Sequence, residues 1–265
     1  MRLRNLSSGI LAFLAFAVPL SARFAAAQKI TIAAAADLQF VFQDVGARFE
    51  KATGKKLRVI YGSSGNFFAQ LQNGAPFDLF FSADIDYPKR LEASGLAEGG
   101  SLYPYANGKI VLWARHESKL DLSRGLQILV DPSVRKIAIA NPEHAPYGRA
   151  AVAALRHENL YDKVSAKLVL GENISQAASF VVSGSADAGI VALSLAVSPS
   201  MKDRGKFVEI SAADYPPIEQ AAVILKSSPH QEAARQFLAF LKTPAIQDLL
   251  RSYGFSLPGP AVSER

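Results

Sequence analysis

Apolar runs alternate with amphipathic stretches along the chain, and the two periods predict strands alternating with helices. Lys29–Ala35 is a short apolar run that reads as a buried strand. Asp37–Lys51 carries Phe40, Val41, Val45 and Phe49 at helical spacing, and Gly54 ends it. Lys56–Tyr61 reads as a second strand, and Gly65–Gln72 as a second helix with Phe67, Phe68 and Leu71 on one side. Phe77–Ser82 makes a third strand and Tyr87–Ala93 a third helix, stopped by Gly95. Lys109–Ala114 follows a turn-rich stretch, Tyr103–Gly108, and leads into a second group of elements. There, Lys136–Ala140, Lys167–Leu170 and Gly189–Ala192 read as strands, and Pro146–His157 and Ile174–Ser183 as helices. Ala221–Leu225, after Tyr215-Pro216-Pro217, reads as a return crossing, followed by amphipathic helices at Gln231–Leu241 and Pro244–Ser252. This alternation predicts an α/β fold whose mostly parallel sheets are flanked by helices. The return crossing predicts a discontinuous first lobe, 28–108 with 219–265, and an inserted second lobe, 109–218.

The N-terminus stands outside that pattern. Arg2 and Arg4 precede the apolar run Ile10 to Leu20, and Ala25-Ala26-Ala27 follows. A charged start, a short apolar run and small residues at a cleavage point describe a secretory signal peptide. The run falls short of the ~20 residues that span a bilayer. Residues 1–27 are therefore expected to be removed, leaving a soluble exported chain from Gln28.

Composition narrows the field further. With 49% hydrophobic and 20% charged residues in 265, the chain is globular in kind. It has no cysteine, which excludes disulfides, thiolate metal sites, a cysteine nucleophile and a lipidated cysteine. An exported protein without that tether is expected to be free in the periplasm of a Gram-negative bacterium. The net charge of +6 drops by three when Arg2, Arg4 and Arg23 leave. No clustered basic stripe remains, so nucleic acid is not an expected partner.

Ligands of open α/β sheets bind beyond the carboxyl ends of strands, where helices begin. Four segments take that position: Ala36-Asp37, Gly62 to Asn66, Pro142 to Gly148, and Gly171 to Ile174. Helix starts present unpaired N–H groups and a partial positive charge, so several together make an anion site. Gly62-Ser63-Ser64-Gly65-Asn66 fits either such a site or an ordinary serine cap with loop glycines. Asp37 reads as a helix cap before it reads as a ligand group, because a carboxylate repels a dianion unless a proton is present. Tyr147, at the start of a helix, is either a packed aromatic or a neutral hydroxyl donor, and Arg149 reads as part of a solvated helix face. Asp84 and Asp86 read as turn residues. His116, His144, His157 and His230 show no metal-binding spacing, and neither a nucleophile elbow nor a phosphate loop occurs. No catalytic constellation stands out.

Taken together, the segments resemble the periplasmic molybdate-binding proteins of ABC importers. The resemblance runs over Gln28–Leu257 and rests on the order and spacing of several segments. These are Ile30-Thr31-Ile32-Ala33-Ala34-Ala35-Ala36-Asp37-Leu38, Tyr61-Gly62-Ser63-Ser64-Gly65, Gly74-Ala75-Pro76-Phe77-Asp78-Leu79-Phe80-Phe81-Ser82-Ala83-Asp84, Asn141 to Gly148, Ala188-Gly189-Ile190-Val191 and Tyr253-Gly254-Phe255. It implies a two-lobed type II periplasmic-binding-protein fold with the ligand in the cleft between lobes. It also implies capture of molybdate or tungstate and delivery to an inner-membrane ABC permease with its cytoplasmic ATPase, by a monomer with no cofactor and no catalytic activity. Asp37, Ser63, Ser64, Tyr147 and Ile174 are the implied ligand residues. Where some members of the family ligate through a tyrosine after Gly-Ile-Val, this chain has Ala192, and the Tyr147 hydroxyl is expected to take that role. Asp37 stands where the family often has serine or threonine. That departure keeps a receptor for sulfate, thiosulfate or phosphate as an alternative, with an enzyme on the same fold behind it.

Overall fold

The computed structural model describes residues 29–259. The expected signal peptide, 1–27, lies outside that range, as do the last residues of the first lobe, 260–265. Among the described residues no helix is long and apolar enough to cross a membrane.

Two five-stranded sheets carry the fold. The first is built from β1 (Lys29–Ala35), β2 (Lys56–Gly62), β3 (Leu79–Ser82), β4 (Tyr103–Gly108) and β10 (Ile218–Ile224), in the order β2-β1-β3-β10-β4. The second is built from β5 (Ile110–Arg115), β6 (Ile137–Ala140), β7 (Leu168–Gly171), β8 (Ala188–Ala192) and β9 (Gly205–Glu209), in the order β7-β6-β8-β5-β9. In the first sheet β1 pairs parallel with β2 and β3, while β10 pairs antiparallel with β3 and β4. In the second, β6 pairs parallel with β7 and β8, while β5 pairs antiparallel with β8 and β9. Each sheet therefore has one reversed strand, and in each case it is a strand that follows a crossing between the sheets.

Among the described residues, seven of the nine α-helices fall where the apolar spacing puts them, while two four-residue helices, Tyr161–Val164 and Leu193–Ala196, are not predicted by it. The nine are α1 (Val41–Thr53), α2 (Ser64–Gln72), α3 (Asp86–Ala93), α4 (Pro146–His157), α5 (Tyr161–Val164), α6 (Ile174–Val182), α7 (Leu193–Ala196), α8 (Gln231–Leu241) and α9 (Pro244–Ser252). Val41, Phe42, Val45 and Phe49 of α1 are buried against one face of the first sheet together with α8 and α9. Phe42, Phe81 and Phe237 meet edge to face there, with ring centroids 5.0–6.0 Å apart, a favoured aromatic geometry. Phe67, Leu71 and Leu91 of α2 and α3 cover the other face. Because side chains alternate across a strand, Ile32 and Ala34 of β1 serve one face and Ala33 the other.

Three further stretches depart from expectation, the first being the unpredicted edge strand β9. Tyr103–Gly108, read as turn-rich, is the strand β4. It lies at the edge of its sheet, where a proline is tolerated because one side of the ladder needs no donor. Asp37 does not cap α1, whose first flanking residue is Phe40. It sits inside a single 3-10 turn, Ala36–Leu38, between β1 and α1.

Candidate functional site

The carboxyl ends of β1, β2, β6 and β7 meet where the two sheets face each other. The chain leaves β1 through the turn at Ala36–Leu38, β2 through Ser63 into α2, β6 through 141–145 into α4, and β7 through 172–173 into α6. Asp37, Ser63, Ser64, Tyr147 and Ile174 all line one small cavity there, of about 10 Å³. A volume of that order is about the least that holds one water, so the closed lobes leave little spare room here. None of the cavity-lining residues is basic. Attraction for an anion therefore falls to dipoles. Ser64, Tyr147 and Ile174 lie in the first turns of α2, α4 and α6, where N–H groups have no carbonyl partner within their own helix. A larger open cleft of about 340 Å³ adjoins it, bounded in part by Asp84, Lys89, Arg149 and Glu219. That outer cleft mixes charges of both signs, so the smaller cavity is the better anion site.

Each side chain at the cavity has a defined job. Ser64 Oγ accepts the Ala83 N–H at 2.9 Å, which leaves the hydroxyl proton for an acceptor elsewhere. Ser63 flanks α2, but its hydroxyl lies 2.9 Å from His144 Nδ1 and makes no cap bond. His144 Nε2 is 3.7 Å from Glu172. Serine, histidine and glutamate in line look like a nucleophile, a base and its orienting acid. The carboxylate is too far from the ring to hold it by a hydrogen bond, so the arrangement lacks the oriented base that a triad requires.

Asp37 is buried in a network that sequence reasoning did not foresee. Its Oδ2 accepts from the Tyr147 hydroxyl at 2.8 Å and from Gln220 Nε2 at 2.7 Å. Tyr105 donates to Gln220 Oε1 at 2.7 Å, which fixes the direction of that amide. Ser194 Oγ donates to the Asp37 carbonyl at 2.8 Å and Ser175 Oγ to the Ala36 carbonyl at 2.9 Å. Asp37 Oδ1 is buried and has no hydrogen-bond partner. Burial pushes this carboxyl up to about 6, against the pull of Gln220 and Tyr147. The Asp37 and Leu38 N–H groups also pull it down, without meeting hydrogen-bond geometry at Oδ1. Burial, with the Asp37 charge beside it, drives Tyr147 well above the ordinary tyrosine range. The Tyr147 hydroxyl was expected to face the ligand, and instead its proton is given to Asp37. The partners Tyr105, Gln220 and Ser194 lie far away in sequence and carry no spacing signal.

The two lobes are closed on each other around this cavity. Gly65 N–H donates to the His144 carbonyl at 2.9 Å. Asn66 hydrogen-bonds Glu172, and Arg149 pairs with Asp84. Arg149, read as a solvated residue, thus reaches the opposite lobe, and Asp84 is more than a turn residue. Glycine is required at two of these contacts. A Cβ on Gly65 would stand 2.7 Å from the His144 carbonyl oxygen, and one on Gly108 would stand 2.2 Å from the Tyr147 hydroxyl.

Comparison with known proteins agrees with this architecture. A family model described as "Bacterial extracellular solute-binding protein" matches residues 30–256. Molybdate-binding protein ModA of Rhodobacter capsulatus is 38% identical over 231 residues, covering 87% of this chain and 89% of that protein. The solved structure of the periplasmic molybdate-binding protein of Azotobacter vinelandii superposes with a TM-score of 0.82 at 36% identity, covering 87% of this chain and 100% of that one. The sulfate-binding protein SubI of Mycobacterium tuberculosis shares the fold, with a TM-score of 0.69 at 18% identity and 88% of each chain covered. In sequence and in fold, the chain belongs to the bacterial extracellular solute-binding proteins, among the relatives of ModA.

Proposed function

We propose that this chain captures molybdate, and tungstate by the same chemistry, in the cavity between its lobes and delivers it to an ABC permease and its ATPase. The observation that carries the proposal is the meeting of three helix starts and one 3-10 turn on a small cavity with no basic lining. A dehydrated dianion is costly to bury. Neutral N–H and O–H dipoles, at about 1.5–3 kcal/mol for each bond to a charged group, offset that cost without a countercharge. Ser63 and Ser64 would offer hydroxyls, and Tyr147 and Ile174 their N–H groups. The Tyr147 hydroxyl would act through Asp37. The identity with ModA proteins supports molybdate as the ion.

The same reading divides the chain into a first lobe, 28–108 with 219–265, and a second, 109–218. The membership of the two sheets supports that division. It places the protein in the periplasm as a monomer, exported by residues 1–27, with capture and release as its work and no turnover. A second reading, a receptor for phosphate, is favoured by one feature: Asp37 could accept the proton of a hydrogen-bearing oxyanion.

Calorimetric titration of the ligand-stripped chain with molybdate, tungstate, sulfate and phosphate separates the readings. Tight one-to-one binding of molybdate and tungstate, with sulfate and phosphate silent, is expected. Phosphate or sulfate binding with molybdate silent would overturn the molybdate reading.

A further inference from the structure

We propose that Asp37 is a protonated hydrogen-bond donor to the captured oxyanion, so that the site takes up one proton from solvent with each dianion it binds. The inference rests on the oxyanion reading above and adds a proton to it. Three features of the network lead there. Gln220 is locked by Tyr105 so that its amide N–H donates, and Tyr147 donates as well, both to Oδ2. With Oδ2 occupied by two donors, a proton on this carboxyl belongs on Oδ1. Oδ1 is the oxygen without a partner, on a residue that lines the cavity.

Charge points the same way. An ionised carboxylate beside a dianion, in a buried cavity with no basic lining, is repelled by it. A protonated carboxyl removes the repulsion and turns Oδ1–H into one more donor. The balance is simple: the Asp37 carboxylate, one proton from water and the dianion give a neutral carboxyl donating to an ion oxygen. Burial, set against the donors that pull the other way, already brings this group to about 6, and a dianion beside it raises it further.

The other groups facing Asp37 do not supply the proton. Tyr147 of α4 and Tyr105 of β4 are both driven above the ordinary tyrosine range by burial, and both stay neutral through physiological pH. Gln220 of β10, Ser194 of α7 and Ser175 of α6 carry no charge. His144, which contacts Ser63 and faces Glu172, is the remaining titratable pair-forming group at the cavity edge.

The test is calorimetric titration with molybdate from pH 6.5 to 8.5, in two buffers of different ionisation enthalpy at each pH. Wild-type protein is expected to take up close to one proton per ion at pH 7.5 and above, with Kd weakening about tenfold per pH unit. Asp37→Asn is expected to take up none and to show a flat Kd. His144→Gln is expected to keep the wild-type uptake. Tight molybdate binding by wild type with no proton uptake overturns this inference and leaves the oxyanion reading standing. Loss of uptake in His144→Gln overturns it too, since the proton would then belong to the imidazole. No binding of any oxyanion overturns both. Wild type and His144→Gln decide the matter even if Asp37→Asn does not fold.

Discussion

Asp37 shows how far one side chain's role depends on partners remote in sequence. An aspartate after a strand and before a helix is read as a cap, because short polar side chains satisfy helix N–H groups. Here the carboxyl turns instead to Tyr147 and Gln220, 110 and 183 residues away. No spacing rule reaches that distance. Ser63, Ser64, Tyr147 and Ile174 were legible because each follows a strand and opens a helix, which is local information. Keeping Asp37 buried has a cost that depends on pH. Its carboxyl is raised from 3.8 to about 6, so the folded chain holds more protons than the unfolded one between those values. Its contribution to stability is fully present below pH 3.8 and lost as pH rises through about 6. The size is about 3 kcal/mol. Asp37→Asn keeps an oxygen for both donors and removes the charge. In urea unfolding without ligand it is expected to be more stable than wild type at pH 7.5, with the gap closing near pH 4. A gap that does not change with pH would place the cost elsewhere.

At the scale of elements, most of the fold was readable from apolar spacing. The strand Lys29–Ala35 and the helices Pro146–His157, Gln231–Leu241 and Pro244–Ser252 have the bounds the pattern gives. Their buried faces are long enough for the period to show. The strands β4 and β9 were not recognised, and both lie at sheet edges. Edge strands are only partly buried, so they carry weaker alternation, and β4 also contains a proline. The helix starts that face the cavity are held in place by contact between elements, and α2 gives a direct test. Gly65 lies within α2, where alanine is the better helix former by about 1 kcal/mol. Yet in this closed arrangement its Cβ would collide with the His144 backbone on the opposite lobe. Gly65→Ala is expected to leave the ligand-free protein as stable as wild type or more so, while weakening molybdate binding at least tenfold. Equal affinity would show that the His144 contact is not needed for capture.

At the scale of the whole molecule, closure is held by polar bonds that span the cleft at its rim. Arg149 and Asp84 form one of them, with side chains partly open to solvent. Exposed pairs contribute about 0.2–1 kcal/mol, too little to decide affinity but enough to alter how long the lobes stay shut. Arg149→Ala is expected to speed molybdate release by up to about fivefold in stopped-flow measurements, with little change in the association rate. An unchanged release rate would mean the pair forms without holding the lobes. The two-lobed plan itself was legible, since two groups of strands separated by a return crossing leave few arrangements. The closeness of the lobes was not, because contacts across a cleft leave no period in either partner.

The position of β10 also governs the order in which the molecule can be completed. It lies between β3 and β4, yet it is made more than a hundred residues after either of them. A chain that emerges N-terminus first presents β1 to β4 early, and the edge of β3 stays unpaired until the whole second sheet has followed. The second sheet is one contiguous stretch and is complete once β9 has appeared. The first sheet is finished only when residue 224 is available to join its halves. Until then the protein has one finished half and one open edge, the state in which a nascent chain most needs shielding from its neighbours.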